Sequence, residues 1–476
     1  MNQIISCWGA LITIVWMSVT VTLSKGVVRP MVHKHDEQGN FEVVGKKWAL
    51  LVAGSKGYSN YRHQSNICHA YHILKSGGLQ DENIIVFMYD DIAYHNENPR
   101  PGVIINRPDG PNVYPGVPKD YTGNNTNAEN FFAVLNGNLS GITGGSGKVL
   151  NSDPNDTIFI YYSGHGYPGL IGMADQSLVY AKDLVDALKK KHASNSYKKM
   201  VIYVEACYSA SLFEGLLPNN ISIYVTTSAN ARELGYGFYC PGSINLSSTE
   251  YTTCLGDTFG ISWMEDSDKN ESTNETLQQQ YVTVRDRTIT SHVTQLGDLN
   301  ISNDFLDTYI GSAPLNNVSD NYNLTNTTSV YSFEPFNTST SLVNQDDAYL
   351  LHLKLKLEKA VDGSKDKLKA QNELDAEIAH RKHVDHNIHL IGNILFGEKK
   401  SSIMMSDLRS AGQPLIDDWN CLKILFKTYE SHCGILLSTY GRKYSRVFAY
   451  MCNIGIFEKQ TISAVSQVCS RIHHSS

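Results

Sequence analysis

Two residues with reactive side chains sit where an α/β chain concentrates its chemistry. His165 lies between Gly164 and Gly166, just after the apolar run Thr157 to Tyr162, and Cys207 follows Glu205-Ala206 after a second run, Met200 to Val204. Such β-branched and aromatic runs are those of strands buried on both faces of a parallel sheet. Between them, AKDLVDALKKKHA sets Leu184, Val185 and Leu188 at helical spacing and ends in a basic turn, so the unit reads β-α-β. A right-handed crossover brings both strand ends to one edge of the sheet, where open α/β sheets hold their sites. A thiol there needs a base to become thiolate, and an imidazole titrating near neutrality suits that task. Taken singly, each residue is ordinary core. At adjacent strand ends, with glycines that admit a substrate backbone, they predict a nucleophile–base pair.

The elements that must position this pair follow in order. KKWALLVAGS (46–55), NIIVFMYDD (83–91) and ISIYVTTSA (221–229) read as further strands, and Gln64 to Lys75 and residues 128–139 as helices. Ile92 to Gly123 is rich in Pro, Gly and Asn and reads as a long functional loop. Strands alternating with helices predict one α/β sandwich. After about residue 290 the pattern changes: 315–344 is an Asn/Ser/Thr-rich linker, and from AYLLHLKLKLEKAV (348–361) onward the chain is amphipathic and all-α. The expected division is a signal peptide (1–24), an irregular N-terminal pro-segment (25–45), a catalytic domain (46–314), an activation linker (315–344) and a helical pro-domain (345–476).

Composition excludes some classes. With 40 basic against 47 acidic residues and no long basic run, nucleic-acid binding has no electrostatic support. The uncharged apolar stretch 4–23 reads as a secretory signal, with an uncleaved anchor as the alternative; no second span of that length follows, so no membrane is expected for the mature form. Twelve N-x-S/T sequons agree with secretion, the glycosylation candidates being Asn138, Asn155, Asn245, Asn300, Asn317 and Asn337. Of nine cysteines, Cys240 and Cys254 bracket a short loop as a local disulfide, and Cys421, Cys433, Cys452 and Cys469 form a quartet for two bridges. Cys7 falls in the expected signal peptide, which leaves Cys68 as a buried structural thiol and Cys207 as the nucleophile. No cofactor and no metal site are expected. His380, His383, His386 and His389 fall three apart on one predicted helix, either an acid-charged docking face or a plain solvated one.

The stretches WALLVAGSKGYSNYRHQ, CHAYHILK, MYDDIAY, GVPKDYTG, EAC, TCLGD, SWMEDSD and HVDHNIHLIGNILFG together resemble plant legumains, the vacuolar processing enzymes or asparaginyl endopeptidases, over nearly the whole chain. The resemblance implies a caspase-like α/β core with a mostly parallel sheet and a death-domain-like helical pro-domain acting as intramolecular inhibitor. It implies cleavage of peptides and proteins after accessible Asn, and after Asp at acid pH, in a vacuole reached through the secretory route. Carried over by position, Cys207 is the nucleophile, His165 the base and Asn60 the residue that orients the imidazole. Backbone N–H groups of Gly166 and Cys207 become the oxyanion donors, aided by a helix starting after Cys207. Arg62, His63, Glu205 and Asp257 become the specificity pocket, since a carboxamide needs both donors and acceptors. The chain departs from the pattern at Gly164 and Tyr208, where Asp and Glu are usual, and at Lys56, Asn66 and Tyr167. The stretch Glu233-Leu234-Gly235-Tyr236 stands where a serine pair and a tryptophan are usual, and the loop Ser243 to Thr253 lacks the usual prolines. These changes leave open a peptide ligase, in which an amine resolves the thioester, or a diverged binding-only protein.

Overall fold

The computed structural model describes residues 33–35, 41–43, 45–241, 250–269, 274–312, 342–401, 409–433, 440–456 and 458–470. The chain divides into two compact units, residues 1–44 and 45–476. The expected signal peptide and most of the expected linker lie outside the described residues. In the first unit β1 (His33–His35) pairs antiparallel with β2 (Phe41–Val43). These two short stretches of the pro-segment are therefore paired strands rather than irregular.

In the second unit β3 (Lys47–Ala53) leads through a turn to α1 (Tyr61–Ser76), then β4 (Ile84–Phe87), a long loop, and α2 (Ala128–Leu135). The helix expected over 128–139 stops at Leu135 because Gly137 takes φ 66°, a left-handed conformation that ends helices. β5 (Thr157–Ser163) is followed by a small antiparallel sheet of β6 (Gly166–Tyr167), β7 (Leu170–Gly172) and β8 (Leu178–Tyr180), which the reading of the sequence missed. Next come α3 (Ala181–Ala193), β9 (Lys199–Glu205), β10 (Ile223–Thr227), β11 (Tyr236–Phe238), β12 (Gly256–Asp257), α4 (Thr258–Lys269), α5 (Leu277–Arg287), β13 (Thr294–Gly297) and the short α6 (Asp307–Ile310). The main sheet runs β13-β10-β9-β5-β3-β4, parallel except for edge strand β13. This is the expected α/β sandwich with a mostly parallel sheet.

Alternation along the strands divides the core. Ile158, Ile160 and Tyr162 point to one face with Leu50, Val52 and Ile202, where α2 and α3 pack. Phe159 and Tyr161 point to the other with Leu51, Val201 and Tyr203, against α1, α4 and α5. Trp263 of α4 is 1 % exposed and meets Phe159, Tyr161 and Tyr203 edge-on at 5.1–5.8 Å, so it backs the two strands that end in His165 and Cys207.

Beyond β14 (Val343–Asn344) the chain is helical: α7 (Ala348–Lys359), α8 (Lys365–Phe396), α9 (Trp419–Cys433), α10 (Ser445–Asn453) and α11 (Glu458–Ser470). Cys421–Cys452 ties α9 to α10 and Cys433–Cys469 ties α9 to α11; Cys240–Cys254 closes the third bridge, and Cys68 and Cys207 are free and buried. The helices share a continuous apolar core with the sheet's first face through Ile416, Trp419 and Phe448. Trp419 lies against Gly169, whose φ of 77° and missing side chain leave room for the indole. Of the four spaced histidines on α8, His386 and His389 are exposed, whereas His380 and His383 are half-buried and His383 Nε2 lies 3.0 Å from Asn387 Nδ2, so they do not form one uniformly solvated face.

Replacing Trp263 by Ala should cost about 3–5 kcal/mol in urea unfolding, because it opens a cavity under both site strands. Removing the exposed Lys182–Asp186 pair with Lys182→Ala should change stability by less than about 0.5 kcal/mol.

Candidate functional site

The parallel pairing of β5 with β9 sets Ser163 opposite Glu205, and the backbone continues the match, Gly164 N–H donating to Glu205 O at 3.1 Å. His165 and Cys207 therefore leave the sheet from neighbouring positions. His165 Nε2 is 2.8 Å from Asn60 Oδ1, while Asn60 Nδ2 donates to Lys56 O at 2.8 Å. An amide oxygen only accepts, so this bond assigns the proton to Nε2 and leaves Nδ1 as the basic nitrogen. Burial, then the Arg62 and Arg442 guanidinium groups, lower the His165 pKa to about 3, so the ring is neutral here.

Cys207 is 2 % exposed, and its Sγ accepts the Gly235 N–H at 3.3 Å. Burial, then the Asp346 carboxylate, hold the thiol well above its ordinary range. Gly166 must be glycine: a Cβ there would lie 2.2 Å from Cys207 O. That contact brings the two loops together at the positions expected to donate to an oxyanion. The expected helix after Cys207 is absent. Tyr208 takes φ 54°, and only a four-residue 3-10 turn, Ser209–Leu212, follows, too short to add a useful dipole. Gly164 admits no side chain either, since its Cβ would be 2.4 Å from Tyr162 Oη.

Beside the pair lies a pocket closed to solvent. Arg62 and His63 come from the first turn of α1, Asp257 from β12 and Glu205 from the end of β9, all 0 % exposed. Arg62 Nε donates to Asp257 Oδ1 at 2.9 Å and Asn66 Nδ2 to Asp257 Oδ2 at 2.8 Å. His63 Nδ1 meets Ser55 Oγ at 2.6 Å, and Gly260 N–H donates to Glu205 Oε2 at 2.9 Å. Burial raises both acids; Arg62 opposes it at Asp257, which reaches about 6, whereas Asp257 itself pushes Glu205 further up. Arg62 and Asn66 thus favour negative charge on Asp257, and burial beside that carboxylate disfavours it on Glu205. Burial and Arg62 keep His63 neutral.

Sequence reasoning did not foresee what occupies the pocket. β14 pairs antiparallel with β11, Asn344 opposite Tyr236 and Val343 opposite Gly237, and Gln345 N–H donates to Gly235 O at 3.1 Å. The Gln345 side chain enters between the acids, Nε2 lying 3.4 Å from Asp257 Oδ1 and 3.5 Å from Glu205 Oε1. The C-terminal edge of the expected linker is thus a strand in the cleft. The one signal for it was the carboxamide of Gln345, immediately after the expected activation linker.

Residues 47–312 match the Peptidase C13 family, and residues 372–469 match the legumain prodomain. The chain belongs to the Peptidase C13, or legumain, family. It is 52 % identical over 434 residues to a vacuolar-processing enzyme of Citrus sinensis, covering 90 % of this chain and 86 % of that one. The vacuolar-processing enzyme delta-isozyme of Arabidopsis thaliana is 50 % identical over 439 residues (91 % and 92 %), and the legumain of Canavalia ensiformis 47 % over 437 (90 % and 89 %). Among solved structures, a caspase-1 of Spodoptera frugiperda matches with a TM-score of 0.31 at 11 % identity over 56 % of this chain and 88 % of that one, too distant to bear on mechanism. This legumain-family chain is a cysteine endopeptidase carrying a zymogen prodomain.

The prodomain of this legumain relative also sets the site's charge. Arg442 Nη2 donates to Gln176 O at 3.0 Å, and the Arg446 guanidinium lies 6.0 Å from the Tyr208 ring. Asp346 is raised to about 6 by burial, against the pull of Lys443. A carboxyl near 6 when docked and about 3.9 when free binds a proton on docking between those values. Its burial therefore costs stability above about pH 6 and nothing below about pH 4. Asp346→Asn should raise the thermal midpoint of the intact chain by about 2 °C or more at pH 7.5 and leave it unchanged at pH 4, in paired melting curves.

Proposed function

We propose that this chain is an asparaginyl endopeptidase, cutting after Asn and, at lower pH, after Asp. The observation that carries the reading is the Gln345 carboxamide between Asp257 and Glu205, on a segment paired to β11 as a substrate strand would be. A substrate Asn would offer its N–H2 to the same acids and its oxygen to Arg62 and His63, whose buried Nη2 and Nε2 have no partner. An Asp side chain imitates that pattern once protonated, which ties its cleavage to acid.

In this mechanism His165 Nδ1 takes the Cys207 proton, with Asn60 holding the ring. The thiolate attacks the scissile carbonyl, and the N–H groups of Gly166 and Cys207 receive the developing oxyanion. His165 returns the proton to the leaving amine, and water hydrolyses the thioester. The zymogen is latent because β14 and Gln345 fill the cleft, and activation removes them by cutting near Asn344, Asp346 or Asp347. Delivery to a vacuole through the secretory route is the expected setting: relatives are named vacuolar-processing enzymes, and Asn138, Asn155 and Asn300 are exposed for glycans, while Asn245, Asn317 and Asn337 lie outside the described residues.

After acid activation, a peptide with one internal Asn should yield a free-acid product ending in that Asn by mass spectrometry, and Cys207→Ala should yield none. Joined product with an added amine-nucleophile peptide would instead make the chain a ligase. No product from folded enzyme freed of its prodomain would sink both readings.

A further inference from the structure

Where the prodomain meets the catalytic part of the chain, a cavity of about 40 Å³ lies between them. That is about three times what one ordered water needs. Ser211, Glu214 and Arg232 line it from the catalytic side, and Arg409, in the loop before α9, and Arg446, on α10, line it from the prodomain. The two walls touch at its edge. A Cβ on Gly215 would lie 2.4 Å from Pro414 N, and Gly412 N–H donates to Glu214 Oε1 at 2.6 Å.

The charged groups on its wall are three guanidinium groups and one carboxylate. Arg409 is neutralised, since its Nη1 and Nη2 donate to the two oxygens of Asp417 at 2.9 and 2.8 Å. Arg232 and Arg446 are not. Arg232 Nη2 donates to Arg409 O at 2.7 Å and Arg446 Nη2 to Ala231 O at 2.8 Å, and among the described residues neither forms an ion pair. These carbonyl bonds fix both guanidinium groups at the wall and leave most of their N–H donors unused. Burial, foremost, lowers the Arg446 pKa; Tyr208 opposes that, Arg232 adds to it, and Glu214 opposes it more weakly. Arginine does not lose its proton to escape such a neighbour, so a counter-ion is the remaining relief.

We propose that this cavity is an anion site for a small tetrahedral oxyanion of the phosphate or sulfate class, and that the bound ion pins the prodomain to the catalytic part. Guanidinium forks match the oxygens of such an ion two at a time. Ser211 Oγ already accepts the Gly169 N–H at 2.8 Å, so its own proton is left for the ion. Glu214 is the one group at the wall that repels an anion, and two unpaired arginines outweigh it. Arg232 belongs to the catalytic side and Arg446 to the prodomain, so an ion held by both must be released by one before the prodomain departs. Binding to the docked state alone stabilises that state by mass action.

The test uses the intact chain. Its thermal midpoint is followed at neutral pH as inorganic phosphate, and separately sulfate, is raised to about 50 mM, with sodium chloride at matched ionic strength as the control for screening. Both oxyanions should raise the midpoint saturably, by about 2 °C over chloride, and should slow the appearance of processed chain after acidification about threefold. Arg232→Gln, at an exposed position, should abolish both effects, each read against the variant's own anion-free baseline. Glu214→Gln removes the opposing charge, keeps an oxygen for the Gly412 N–H, and should lower the half-saturating phosphate concentration about threefold. No saturable rise over chloride, or an unchanged response in Arg232→Gln, overturns the anion site. A saturable rise with an unchanged processing rate overturns the pinning role. The thermal arm needs no peptidase activity, so it decides the site even if the asparaginyl reading fails.

Discussion

One backbone register underlies the cleft. β5 and β9 pair in parallel with Ser163 opposite Glu205, and the loops beyond them touch so closely that Gly166 can carry no Cβ against Cys207 O. The strands are buried on both faces, so slipping the register by one residue would turn every side chain to the wrong core. Imidazole, thiol and pocket acid are therefore delivered to one place by the same hydrogen-bond ladder that holds the sheet together.

Charge at that place is arranged by burial more than by pairing. Arg62 and Asp257 form a desolvated ion pair whose second carboxylate oxygen is held by Asn66, while burial, then the neighbouring Asp257 carboxylate, push Glu205 upward and disfavour its charged form. Such a pocket reads a neutral amide well. The docked prodomain applies the same rule to the reacting pair: Asp346 disfavours thiolate at Cys207, and Arg442 disfavours imidazolium at His165.

The C-terminal segment reaches the site by apolar contact of its helices with the sheet's first face and by a short strand, β14, paired to β11. The helices bury the area that makes docking favourable, and the strand converts it into occupancy of the pocket.

The strands and helices around His165 and Cys207 were legible in the chain because their apolar periodicity is local: α3 spans the residues its pattern predicted, and the two site strands differ by one or two residues. The resemblance to legumains pointed to Asn60, Arg62 and Asp257, and the fold brings them together. The missed parts are short ladders and turns. β6–β8 and β11, β12 and β14 have two or three residues each, too few for a periodic signal, and the turn after Cys207 depends on Tyr208 adopting a positive φ that tertiary packing imposes. By itself the sequence determined that reactive side chains follow two strands and where those strands run, since both follow from side-chain type and local spacing. Only the tertiary structure decided what fills the pocket and how its charges settle. Those depend on contacts between residues as far apart as Glu205 and Gln345, and on a desolvation that no local pattern records.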